Sequence, residues 1–440
     1  MTLTASTSLR AERLKQWAHW VILGTFGYLL MIPVGHTPVL MVALLLMTVS
    51  SVFLVAVGNR TLVRELRVPA ILSAAVIVLG VVVGIGNPGW AHSLIAWAAA
   101  PVLFWTWAAA LTEALIARLL QIALWATIAL SAVTLLIAFT IPTRLPEGIV
   151  HPVFGGESDG YGFGAAVAIY GTGTLMAATP MWITGALLPT ARLLPGRPWM
   201  VAAAVAASLA TAVSTRRATV VLALVVPVVI IALYWFTRDR SVRVVLGRRT
   251  RAALVVGVVL AVAAATTAAF IPVVQRTAQG VVGLLSGQAQ GVDERVRQEQ
   301  IPRLWEEFLA SPLWGNGIGM TIDGYVRHEI RPWVFEMQYN MLLAHIGILG
   351  AVMLIAAVVL IIIALWKAIK VRPDMRPLFA VVAAGALSIL VGHALNPMLQ
   401  APGHFWAVFL LIACVNVALR SEEAAAGDEQ PAVQSIGSTI

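Results

Sequence analysis

Three clusters of residues in this chain have types and spacings suited to chemistry. The first is the adjacent pair Arg216 and Arg217, in the run Ser214-Thr215-Arg216-Arg217-Ala218. The second is Arg295-Val296-Arg297, flanked by Arg276 and Arg303, and the third is Glu336, in Glu336-Met337-Gln338-Tyr339. A guanidinium is a planar fork of donors that matches phosphate oxygens. A carboxylate can take the proton of an attacking hydroxyl. Together they suit displacement of a phosphate-type leaving group, with arginines rather than a metal absorbing charge as the bond to phosphate breaks. The ordinary alternatives are arginines that snorkel to lipid phosphates and an ion pair of Glu336 with Arg331 or Arg327. No metal is expected, because His36, His92, His151 and His404 show neither HxH nor HExxH spacing. The single cysteine, Cys414, can form neither an intrachain disulfide nor a cluster.

The surroundings of these residues are hydrocarbon-like. The 440 residues are 60% hydrophobic and 11% charged, with a mean hydropathy of +0.90. Such values exclude a soluble globular domain and indicate an all-α polytopic membrane protein. A span needs roughly 20 apolar residues, and polar punctuation divides the chain into twelve such segments. They cover residues 17–34, 38–57, 68–83, 93–111, 119–141, 163–188, 199–213, 220–236, 252–273, 339–366, 378–395 and 404–419. Pro180 is expected to kink or split the sixth.

Arginine and lysine set the orientation, because short cytoplasmic loops retain positive charge during insertion. A cytoplasmic N-terminus places most of the 29 basic residues inside. These include Arg10, Arg13 and Lys15, then Arg60, Arg64 and Arg67, the cluster from Arg238 to Arg251, and the group Lys367, Lys370, Arg372 and Arg376. The net charge of +9 is thus a matter of topology and does not point to nucleic acid. The expected organisation is a cytoplasmic N-terminus (1–16), a bundle of nine helices (17–273), a large outer loop (274–337), three more helices (338–419) and a disordered cytoplasmic tail (420–440). The first apolar run is too long for a cleaved signal and reads as a start-transfer helix.

The outer loop carries Arg276, Arg295, Arg297, Arg303, Arg327 and Arg331 against a slight excess of carboxylates, so it is no polybasic lipid patch. Within 298–310, Ile301, Leu304, Trp305, Phe308 and Leu309 recur at three- and four-residue steps, which predicts an amphipathic helix on the membrane surface. Pro312 and the glycines end it. Gly315, Gly317 and Gly319 follow no strand, so they suit a tight loop rather than a dinucleotide fingerprint. Trp314 and Trp333 suit an interfacial belt or stacking on sugar rings. His345, more than two turns into the next helix, reads as packing or as a donor behind the site.

These residues resemble the O-antigen ligase and O-antigen polymerase superfamily of bacterial envelope glycosyltransferases. The resemblance rests on Ser214 to Ala218, on Arg297, on Ser311-Pro312-Leu313-Trp314-Gly315-Asn316-Gly317-Ile318-Gly319, and on Gly347-Ile348-Leu349-Gly350. It covers mainly residues 214–350. Ligases of this family usually carry a histidine eleven residues before the first glycine of Gly-Ile-Leu-Gly; here Glu336 stands there, which favours a polymerase.

The resemblance implies a periplasmic active site in the bacterial inner membrane and a polyprenyl-diphosphate-linked glycan as donor. The acceptor would be a second lipid-linked glycan for a polymerase, or lipid A core for a ligase. It also implies a chain-length regulator as a further partner and no cofactor. Arg216 and Arg297 would then hold the diphosphate, assisted by Arg217, Arg276, Arg295 and Arg303. Tyr339 and Trp314 would contact the sugar, and Glu336 would be the base, giving inversion at the anomeric carbon. The rivals are a lipid-linked sugar transporter, disfavoured by the near absence of charge in the helix centres, and a non-catalytic envelope scaffold.

Overall fold

A computed structural model describes residues 2–140, 153–155, 157–159, 166–214, 217–237, 292–326 and 329–428. In chain order the helices are α1 (Thr2–Met31), α2 (Thr37–Gly58), α3 (Arg64–Val83), α4 (Trp90–Ala110), α5 (Glu113–Phe139), α6 (Thr172–Leu187) and α7 (Arg197–Ala212). They continue as α8 (Arg217–Phe236), α9 (Val292–Ala310), α10 (Gln338–Val371), α11 (Arg376–His393) and α12 (Trp406–Asp428).

Eight helices of the described residues are long and apolar enough to cross a membrane. They coincide with eight of the twelve segments read from the sequence. Three further segments coincide with α1, α6 and α7, and segment 252–273 lies outside the described residues. The protein is thus a helical, multi-span membrane protein. Val352, Ile355, Val358 and Ile362 on α10 and Val68, Ile71, Val78 and Val82 on α3 are exposed, which a bilayer tolerates and water does not. The buried centre is formed by α4, α5, α6, α11 and α12, with Trp107, Trp182, Phe379 and Trp406 fully enclosed.

Several expectations need correction. Helix α1 begins at Thr2, because Leu9 to Gln16 are nearly all good helix formers. Helix α12 continues to Asp428, into a stretch whose composition predicted disorder. Residues 166–168, expected within the sixth span, instead form strand β2 (Ala166–Ala168), antiparallel to β1 (Glu157–Asp159). Seven glycines between Gly155 and Gly173 disfavour a helix there, and strand pairing satisfies the backbone polar groups that a helix would otherwise bond. Helix α6 therefore starts only at Thr172. Pro180 lies inside it without splitting it.

Contacts at the helix ends sort the connections into two groups. At one end, Arg60 donates to Ala110 O at 2.8 Å, Val63 N donates to Asn416 Oδ1 at 2.9 Å, and Arg372 pairs with Glu113 at 2.9 Å. At the other end, the Tyr170 ring sits against Gly35, Val167 N donates to Val213 O at 2.9 Å, and Gly89 N donates to Gly319 O at 2.9 Å. The connection between α7 and α8 thus shares a side with the loop that follows α9.

Helix α10 is broken at Gly347 (φ 60°, ψ −169°). The break frees backbone groups at a depth where lipid offers no partners, and residues 312–318 supply them. Asn316 N and Gly317 N donate to Ala344 O (2.8 Å) and His345 O (2.9 Å). Ile348 N and Leu349 N donate to Pro312 O (2.8 Å) and Leu313 O (3.2 Å). Beyond them Ile318 N donates to Gly80 O on α3 at 2.9 Å, and Asn87 Nδ2 donates to the carbonyls of Asn316 (2.8 Å) and Ile318 (3.0 Å). The approach is close enough to demand glycine. A Cβ on Gly317 would lie 2.0 Å from Gly84 N, and one on Gly347 would lie 2.5 Å from Leu313 O.

The two short motifs, 311–319 and 347–350, are therefore one physical unit. Gly347→Ala adds both a backbone conformation that is almost confined to glycine and costs roughly 1–3 kcal/mol and a clash with immovable main chain. We expect it to lower the melting temperature of the purified protein by several degrees. Gly24→Ala, where a Cβ meets nothing within 4 Å, should leave the protein as stable or slightly more so. Equal melting temperatures for Gly347→Ala and wild type would contradict this account of the break.

Candidate functional site

Helix α9 lies over the start of α10 because one stripe of it is buried. Gln300, Leu304 and Phe308, four residues apart, are at most 6% exposed. Leu304 and Phe308 join Met320, Ile322, Tyr325, Phe335 and Met341 in a small separate core. The expected amphipathic helix is present, but its apolar residues divide between two faces. Ile301, Trp305 and Leu309 remain exposed. They continue the exposed surface of Leu313 and Ile348, as a helix resting on the bilayer would.

Arg297 lies one turn before Gln300 on this buried side. Its Nε is 2.7 Å from Glu336 Oε2. The N–H is poorly aligned with the carboxylate oxygen, so the contact is an ion pair rather than a directed hydrogen bond. Both side chains are largely enclosed, 16% and 8% exposed respectively. Gln300 fixes the backbone beneath the pair. Its Oε1 accepts from Glu336 N (2.8 Å) and Met337 N (3.2 Å), and its Nε2 donates to the Tyr325 hydroxyl (3.0 Å). The Arg303 guanidinium stacks over the Tyr325 ring at 4.9 Å. On the neighbouring loop face, burial, and then the charges of Asp323 and Glu306, push the Glu307 carboxyl above the usual carboxylate range.

The structure thus brings Arg297 and Glu336 together from positions far apart in sequence, with Arg303 in the layer behind them. Glu336 pairs with Arg297; of the two partners in the ion-pair alternative, Arg331 and Arg327, the second lies outside the described residues. Arg295 is exposed on α9, and Trp314 is 51% exposed on the loop. Tyr339 is not at the pair: its hydroxyl donates to Leu390 O at 2.7 Å and its ring lies edge-on to His393. Arg217 begins α8, while Arg216, Arg276 and Arg327 lie outside the described residues. Gln300 was missed by sequence reading; its signal is its four-residue spacing with Leu304 and Phe308, which puts an amide in an apolar stripe.

A second feature adjoins the pair. A cavity of about 290 Å³ is lined by the α1–α2 connection, the start of α4, residues 331–334, the start of α10 and residues 397–402. Val334 and Gln400 belong to its wall, and Gln400 Nε2 donates to Gln338 Oε1 at 3.0 Å. Glu336 stands between Val334 and Gln338 in sequence. Among the described residues, no group of three or more His, Cys, Asp or Glu side chains could hold a metal ion.

In comparison with known proteins, the chain matches no family model and no curated sequence. Fold and site together define a multi-span helical membrane protein with a buried Arg–Glu pair under an amphipathic helix. If the pair is one interacting unit, Arg297→Ala and Glu336→Ala should each destabilise the protein. Their double variant should fall short of additivity by about 0.5–3 kcal/mol in denaturant unfolding. Additive effects would show that the two side chains act independently.

Proposed function

We propose that the protein is a metal-independent, inverting membrane glycosyltransferase that takes a polyprenyl-diphosphate-linked glycan as donor, and that it polymerises polysaccharide repeat units. In this reading the chain crosses the bacterial inner membrane twelve times. Both termini are cytoplasmic, and α9 with the Arg297–Glu336 pair lies on the periplasmic side. The observation that carries the proposal is the 2.7 Å contact of Arg297 with Glu336, held on a backbone that Gln300 fixes. The α7–α8 connection, which holds Arg216, has its described ends on the same side.

The chemistry follows from these groups. The acceptor hydroxyl attacks the anomeric carbon and gives its proton to the Glu336 carboxylate. As the carbon–oxygen bond to phosphate breaks, its electron pair passes to the diphosphate, which leaves on the polyprenyl carrier. Arg297 presents Nε to Glu336, and the other nitrogens of its fork suit the diphosphate, together with Arg216. Positioning of the hydroxyl against the carboxylate supplies much of the acceleration. Direct attack by a single hydroxyl inverts the anomeric centre.

A transporter would also contain broken helices. The break in α10, however, is filled by main chain from the protein's own loop, which leaves no open carbonyl ring for a coupling ion. A ligase differs from a polymerase only in its acceptor, and Glu336 in place of histidine favours the polymerase.

The test is a strain lacking the protein, complemented with variants that insert normally. Loss of a polymerase leaves single repeat units or no extracellular polymer; loss of a ligase strands full-length polymer on its carrier; loss of a transporter traps lipid-linked units inside. Arg297→Ala and Glu336→Gln should each reproduce the null phenotype, consistent with the roughly 10²–10⁴-fold contribution of a general base. Polymer of near-normal length in both variants would sink the proposal.

A further inference from the structure

The cavity beside Glu336 contains a polar group that the structure leaves unsatisfied. His345 is 1% exposed and lines the cavity, and neither of its ring nitrogens has a hydrogen-bond partner among the described residues. The break at Gly347 explains how this arises, because residues 316–317 bond the main chain of Ala344 and His345 and hold the imidazole in place. Burial of a polar group without a partner costs about 1–3 kcal/mol, and such groups are rare. Among the described residues the indole N–H of Trp333, on the same wall, also lacks a partner.

The remaining wall narrows the ligand. The Trp97 ring stands edge-on to His345 at 5.7 Å, and His92 packs on Trp333 at 5.9 Å. Two indoles give flat apolar surface. A neutral imidazole offers one donor and one acceptor. A sugar ring has this same combination, an apolar face with hydroxyls that both donate and accept. An acyl chain would cover the indoles but leave His345, Trp333 and their nitrogens unsatisfied. A cavity of about 290 Å³, at the small end of the roughly 300–1,000 Å³ of ligand sites, suits a single sugar unit rather than an oligosaccharide. Among the described residues of the wall, Arg331 is the one charged side chain, and it is exposed, so it can meet an acidic substituent.

We infer that this cavity is a sugar subsite. It binds the terminal unit of the acceptor glycan through His345, Trp97 and Trp333, with Arg331 favouring an acidic sugar. The role as acceptor subsite rests on the glycosyltransferase reading; sugar binding itself does not. His345 is a positioning residue here, since it holds the ring whose hydroxyl faces Glu336.

The experiment uses the full-length protein in nanodiscs with methyl β-D-glucuronide and methyl β-D-glucoside as probes, followed by saturation-transfer NMR. Wild type should bind both, and His345→Phe should weaken both about tenfold. His345→Gln, which keeps a donor and an acceptor, should restore much of the binding and guards against misfolding. Arg331→Gln should weaken the glucuronide alone. In a transfer assay, His345→Phe should raise the acceptor KM about tenfold with kcat within about twofold. Equal probe binding by wild type and His345→Phe, or displacement of the probe by phospholipid acyl chains, would overturn the subsite. Binding that follows this pattern without any transfer by wild type would keep the subsite and reject the transferase. Transfer with an unchanged acceptor KM in His345→Phe would do the reverse.

Discussion

The break in α10 at Gly347 is the constraint on which the end of the bundle that carries α9 depends. A helix interrupted inside a hydrocarbon environment must find partners for two carbonyls and two amides. It finds them in a single loop from the same chain. Pro312, Leu313, Asn316 and Gly317 bond across the break, and Ile318 carries the ladder on to α3. This stitching joins three elements, α3, α10 and the loop, at a point where side chains alone would not hold them. It is also why glycine recurs there: main chain approaches main chain too closely for any Cβ.

The Arg297–Glu336 pair and the cavity wall at His345 both hang from that joint. The loop enters it directly from α9, so the joint sets where α9 rests. The buried stripe of α9 carries Gln300 to the backbone of Glu336, and Arg297 to its carboxylate. The same joint holds His345 against the cavity without consuming its ring nitrogens. A rigid scaffold thereby positions two neighbouring sites with polar groups that water or lipid would otherwise compete for. Preorganisation of this kind suits a reaction whose acceleration depends on placement.

Much of this was legible in the sequence, for definite reasons. Apolar runs reveal spans because the bilayer selects on length and hydropathy, which is why most segments match helices. The importance of 311–319 and 347–350 was visible as glycine and proline in an improbable density, and Arg297 and Glu336 were singled out among the loop's many charges by their spacing from those motifs. Their contact was not visible, since nothing in single-sequence spacing measures a distance across a loop. Strand β2 was lost because Ala166–Ala168 is apolar enough to pass for part of a span. His345 read as packing because helical periodicity assumes an unbroken helix, and the break two residues later changes what it faces. The cavity arises from five separate segments of chain, a property of tertiary structure alone.

The central claim is that the Arg297–Glu336 site cleaves a glycan from a polyprenyl diphosphate and joins it to a hydroxyl without a metal. The most direct measurement reconstitutes the wild-type protein in liposomes with a chemically defined lipid-linked donor and excess EDTA. It follows release of polyprenyl diphosphate together with the anomeric configuration of the product by NMR. The account predicts release matched by a new glycosidic linkage of inverted configuration. Movement of intact donor across the bilayer, a retained configuration, or turnover that stops with EDTA would contradict it.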